Sequence, residues 1–88
     1  MPPDPAEHTV TLYTRLHCGL CEEAEEELRV LSGELGFVLV AIDIDGDAAL
    51  LGEYTDIVPL VALDGAIIAH APIADGELRR ALAAAGLR

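Results

Sequence analysis

Phe37-Val38-Leu39-Val40-Ala41-Ile42 is apolar at every position, and an earlier segment, Val10-Thr11-Leu12-Tyr13-Thr14, alternates and is rich in β-formers. Between them Cys21, Ala24, Leu28, Leu31 and Leu35 fall three or four apart, with Glu22, Glu23, Glu26 and Arg29 on the opposite face. The flanking patterns are those of strands and the central one is that of a helix. A strand, a helix and a second strand make a βαβ unit, which forces the two strands to lie parallel, joined by a right-handed crossover. The unbroken apolar run further predicts that the second strand is buried on both faces.

The rest of the chain must fit around this unit. Gly33 and Gly36 bracket the end of the helix. Asp43, Asp45 and Asp47 alternate like the start of a calcium loop, but Tyr54 stands where that loop requires a glutamate. One of the aspartates is therefore expected to cap a short helix, Ala48 to Tyr54. Val58-Pro59 leads into Leu60–Leu63, and Asp64-Gly65 then predicts a hairpin to Ala66–His70. A last helix, capped by Asp75, carries Leu78, Leu82 and Ala85 on one side. The order is β-α-β-α-β-β-α. Residues 1–8, rich in proline, are expected to form a flexible tail, and residues 9–88 a single domain.

Composition narrows the functional classes. Sixteen acidic residues against five arginines and no lysine give a net charge of −11, which argues against nucleic acid as a partner. No apolar run approaches the roughly 18 residues of a membrane-spanning helix. The N-terminus has neither the basic nor the apolar region of a secretory signal. The expectation is a cytoplasmic protein, monomeric, with no membrane partner.

The two cysteines are the only ones in the sequence, and they stand two residues apart as Cys18-Gly19-Leu20-Cys21, where the first strand gives way to the first helix. The unpaired N–H groups and dipole of a helix start favour a thiolate at Cys18. A helix end contributes only about 0.3–1 kcal/mol, less than the ~1.36 kcal/mol that one pKa unit represents. Arg15 and His17 can add to it, whereas Glu22 and Glu23 oppose it, so a moderate lowering of the thiol pKa is expected. Cys21, one turn further in, should be more buried and serve as the resolving thiol. Two other readings stay open. A pair of thiolates is half of a tetrahedral zinc or iron–sulfur site, completed by His17, His70, a small thiol or a second subunit. The pair could also be inert in a non-catalytic interaction domain. His8 and His70 are expected in solvent, and Tyr13 and Tyr54 as packing residues.

Taken together, the pattern Tyr13-Thr14-Arg15-x-x-Cys18-x-x-Cys21-Glu22-x-Ala24, with Asp43-Ile44-Asp45 and Val58-Pro59 before a hairpin, resembles the small glutaredoxin-like proteins of bacteria. The resemblance implies an α/β minimal thioredoxin fold, a mixed four-stranded sheet flanked by helices. It implies thiol-disulfide oxidoreductase activity with Cys18 attacking and Cys21 resolving. Pro59 would be a cis-proline opposite the cysteines, Val58 would offer its backbone to an extended substrate, and Arg15 would contribute to substrate binding. Gly19-Leu20 stands where glutaredoxins proper carry Pro-Tyr, and Ala69-His70 where they carry Gly-Gly. No bound cofactor is implied. The expected partner is a disulfide-containing protein or a low-molecular-weight thiol, with glutathione a candidate co-substrate.

Overall fold

The computed structural model describes residues 8–87. The expected tail, residues 1–8, falls outside the described residues except for His8. That residue is tied down: its carbonyl accepts from the Val38 N–H (3.0 Å), and its ring Nδ1 meets the Asp64 carboxylate. It is half-buried and not in free solvent.

The elements follow the expected order: β1 (Thr9–Thr14), α1 (Gly19–Leu35), β2 (Val38–Asp43), a 3₁₀ turn (Ile44–Gly46), α2 (Ala48–Tyr54), β3 (Leu60–Leu63), β4 (Ala66–His70) and α3 (Glu77–Ala84). They form one four-stranded sheet in the order β2-β1-β3-β4. β1 and β2 run parallel, with Val10 beside Leu39 and Thr14 beside Asp43. β3 is antiparallel to β1, and β4 to β3. Asp64 and Gly65 both take positive φ (50° and 89°), the tight turn that the Asp-Gly pair predicts.

One face of the sheet carries the core. Val10, Leu12, Val61, Leu63 and Ala69 pack with Ala24, Leu28 and Leu31 of α1 and with Leu78 and Leu82 of α3. α1 stops at Leu35 because Gly36 adopts a left-handed conformation (φ 84°) and returns its N–H to the Ser32 carbonyl. Asp47 caps α2, its carboxylate accepting from Ala49 and Leu50 N–H at 2.9 and 3.1 Å. α2 docks on the opposite sheet face at the C-terminal end of β1, where the Tyr13 and Tyr54 rings pack at a tilt of 54° with centroids 5.2 Å apart.

Three expectations need correction. β2 is an edge strand and is not buried on both faces: Val38 and Val40 are 48% and 40% exposed. The seven residues of α2 are the only helix on that side among the described residues, and they cover only one end of it. In the row Val40, Thr11, Ala62 and Ile67 that crosses the sheet, the two ends, Val40 and Ile67, are exposed while Ala62 is buried. Asp75 does not cap α3. Gly76, at φ 77°, occupies the cap position, and Glu77 reaches back to accept from the Ala74 N–H (3.2 Å). Ala85 faces solvent, because Gly86 (φ 98°) turns the chain and delivers Leu87 to the core in its place.

Among the described residues no helix is long and apolar enough to cross a membrane.

Candidate active site

The parallel register brings the C-terminal ends of β1 and β2 together, so the loop after β1 lies beside the 3₁₀ turn after β2. Arg15 fastens the two. Its Nε donates to Asp45 Oδ1 at 3.1 Å, Nη2 lies 3.0 Å from the same oxygen as an ion pair, and Nη1 donates to Thr55 Oγ1 at 2.8 Å. Asp45 is itself held by its own N–H, which donates to Asp43 Oδ1 at 2.9 Å. Leu16 and His17 then turn the chain, His17 through a left-handed conformation (φ 58°), and deliver Cys18 to the start of α1.

Cys18 is the N-cap of α1. Its Sγ accepts a hydrogen bond from the Cys21 N–H at 3.2 Å, a position normally taken by a serine or aspartate oxygen. Cys18 and Cys21 are joined by a disulfide. Their exposures differ: Cys18 is half-buried, and Cys21 is completely buried. An N–H aimed at Sγ and a helix N-terminus both favour a thiolate at Cys18 once the disulfide is reduced.

The Val58–Pro59 peptide bond is cis, and Pro59 is fully buried. Ala71–Pro72 is also cis, which the sequence pattern did not signal. Pro59, Leu20, Ala24 and Ile73 form the apolar part of a cleft of about 260 Å³ beside the disulfide, rimmed by Glu23, Glu27 and Asp75. A second cleft of about 210 Å³ lies on the other side, between the cysteine loop and Glu22, Glu25 and Asp43. Leu20 lines the first cleft and Leu16 the second, and they are 61% and 70% exposed.

The structure thus gathers Cys18, Cys21 and Pro59 at one end of the sheet. Arg15 is nearby but occupied by protein partners. Sequence reasoning missed Asp45 and Thr55, and it missed the wall from Ile73 to Asp75. The signal for Asp45 was present in the parallel βαβ unit, which sets the residue after β1 next to the turn after β2. His17 and His70 are exposed, and His70 Nδ1 lies 2.9 Å from the Ala71 carbonyl. Among the described residues, no three His, Cys, Asp or Glu side chains cluster as metal ligands would. A tetrahedral site on these sulfurs would draw its remaining ligands from another molecule.

A mixed sheet of this order, with a Cys-x-x-Cys disulfide at the N-terminus of α1 and a cis-proline beside it, defines a thioredoxin-fold protein with a redox-type site. Residues 9–83 match the sequence profile of the glutaredoxin-like domain family (DUF836), and the chain belongs to that family. It is 37% identical over 79 residues to uncharacterised proteins of Mycobacterium bovis and Mycobacterium tuberculosis, covering 84% of this chain and 81% of theirs. A structural-genomics target protein from X. campestris superposes with a TM-score of 0.71 at 33% identity, covering 85% of this chain and 96% of that one. The oxidised thioredoxin of Plasmodium falciparum, at 14% identity, shares the fold with a TM-score of 0.67 over 93% of this chain and 84% of its own.

Proposed function

We propose that this protein is a thiol-disulfide oxidoreductase that works through the Cys18–Cys21 pair. The observation that carries the reading is the asymmetry of the pair: a half-exposed sulfur capping a helix, and a partner sulfur sealed one turn behind it. In the reduced chain the Cys18 thiolate attacks one sulfur of a substrate disulfide. A bond forms between that sulfur and Cys18 as the substrate S–S bond breaks, and the other substrate sulfur departs as a thiolate. Cys21 then gives up its proton and attacks Cys18 Sγ. The second substrate sulfur leaves, and the internal disulfide remains. Two electrons have passed from the protein to the substrate. A thiol or dithiol donor returns them, and glutathione is one candidate.

Two further features support this reading. Val58, immediately before the cis-proline, engages neither its N–H nor its carbonyl in a backbone hydrogen bond within the described residues. An extended substrate segment can therefore pair there by strand addition. Arg15 we assign to holding the cysteine loop against α2 and not to gripping a substrate carboxylate, since Asp45 and Thr55 occupy its donors. Net reduction of substrates by this route needs a reducing compartment, and the cytosol supplies one.

The test is a pair of variants incubated with 2-hydroxyethyl disulfide. Cys21→Ser should accumulate a mixed disulfide on Cys18, seen as one mercaptoethanol adduct by intact mass. Cys18→Ser should perform no exchange. If both variants reduced the disulfide at the wild-type rate, the mechanism would be wrong.

A further inference from the structure

We infer that the site takes a cystine carried in a basic polypeptide segment with apolar residues beside the cysteine, in preference to small anionic thiols. The inference rests on the dithiol reading above and names its substrate class. Two independent features of the surface around Cys18 lead to it.

The first is apolar. Leu16 and Leu20 flank the reacting sulfur and stand mostly in water. A single exposed leucine is ordinary. Two on either side of Cys18 in the chain, with Ile73 continuing the apolar surface into a cleft floored by the buried Pro59, offer contact area that a small hydrophilic thiol would leave wet.

The second is electrostatic. Carboxylates line both clefts; Arg15, the one arginine in their walls, lies in the second, and Arg15, Arg29, Arg79 and Arg80 each already have a protein partner. Arg15 is held by Asp45, and Arg79 by Glu34 at 2.8 Å. Arg29 pairs with Glu25 at 3.2 Å, and Arg80 lies over Gly76, within 3.4 Å of the Asp75 carbonyl. That leaves Glu22 and Asp43 on one side of the disulfide, and Glu23 on the other, without a salt-bridge partner among the described residues; Glu27 forms none either, though Arg79 attracts it at longer range. A cation about 7 Å from a carboxylate in water's dielectric gains roughly threefold in association before salt screens it. An anion loses by the same factor, so one such contact separates cation from anion by roughly tenfold, and a thiol bearing carboxylates meets this repulsion near the sulfur.

The experiment uses three synthetic peptide dimers, each joined by one cystine. In each the cysteine is flanked by leucine and then by arginine, glutamine or glutamate. Fully reduced protein is mixed with each peptide with no other reductant, so that one protein dithiol converts one cystine to two thiols. Rates are divided by those of dithiothreitol with the same peptide, which removes intrinsic differences between the cystines. The expected result at low salt is an arginine-to-glutamate rate ratio of about ten relative to dithiothreitol, shrinking in high salt. In the variant Glu23→Gln/Glu27→Gln the ratio should fall at least about threefold. In Glu26→Gln/Glu53→Gln, which removes the same charge from exposed positions outside both clefts, it should hold. A ratio near one with rapid exchange would overturn this inference and leave the dithiol mechanism standing. An equal fall in both double variants would trace the preference to net charge and overturn the role of the clefts. Absence of exchange with all three peptides would overturn the mechanism, and this inference with it.

Discussion

Replacing Arg15 by glutamine separates two roles for that residue: an electrostatic partner of the thiolate, or a clamp that positions the loop bearing it. The structure favours the clamp. The guanidinium makes one charged hydrogen bond and an ion pair to the same Asp45 oxygen, and a further hydrogen bond to the Thr55 hydroxyl. The ion pair is partly solvated, with side-chain exposures of 39% and 33%, so it is discounted to the surface range of about 0.2–1 kcal/mol. The bond to Thr55 adds about 0.5–1.5 kcal/mol. The sum is about 0.7–2.5 kcal/mol. For a domain of this size each kcal/mol moves the melting temperature by about 4–8 °C, giving a fall of roughly 3–20 °C. Thermal melts followed by circular dichroism, on oxidised and reduced protein alike, would measure it. Arg15→Lys should not restore stability, because one ammonium cannot reproduce a planar fork that spans two acceptors. Asp45→Asn should lose a similar amount, and the double variant less than the sum. The pH profile of Cys18 alkylation should move little in Arg15→Gln. Unchanged melting together with a displaced alkylation profile would refute the clamp and restore the electrostatic role.

Two further perturbations probe the frame around the site. Leu28 is fully buried between α1 and the sheet, so Leu28→Ala should lower unfolding free energy by about 2–5 kcal/mol in urea titrations; a loss below about 1 kcal/mol would mean that α1 does not seal this core. The Asp64 carboxyl is held below its ordinary value of 3.8, first by the Thr9 N–H (2.8 Å) and then by His8. A depressed folded pKa gives stability that is fully present above the unfolded value and is lost as pH falls through the folded one. Asp64→Asn should therefore flatten the melting temperature against pH below about pH 4, and an unchanged acid limb would show that this cap contributes nothing.

The hairpin, the βαβ unit and the helix start at Cys18 were legible because each rests on local chemistry. Asp64-Gly65 can form that turn in any protein, and the spacing of Cys21, Ala24, Leu28 and Leu31 fixes a helix face without knowledge of what it meets. The exposure of β2 was not legible, since an apolar run reports what a strand tolerates and not how much of the chain remains to cover it. The cap of α3 failed for a neighbouring reason: Asp75 has the right side chain, but Gly76 has the backbone freedom to make the turn one residue later. The partners of Arg15 lie 30 and 40 residues away. Local periodicity cannot see them, although the parallel register could have placed Asp45 within reach.

The uncovered edge strand gives the charge of this protein a colloidal meaning. The N–H of Val38 is spent on His8; by alternation Leu39 and Ala41 turn their backbone groups outward, and no charge or proline interrupts β2 before Asp43. Many proteins guard such an edge with a lysine, a bulge or a covering helix, because it is a template for pairing with another strand. Here Val38 and Val40 of the edge strand stand 48% and 40% exposed, and the repulsion between copies that each carry a net charge of −11 remains to keep edges apart. Acidification would lift that protection as the carboxylates protonate, so that solubility fails through edge pairing while the fold itself is still intact.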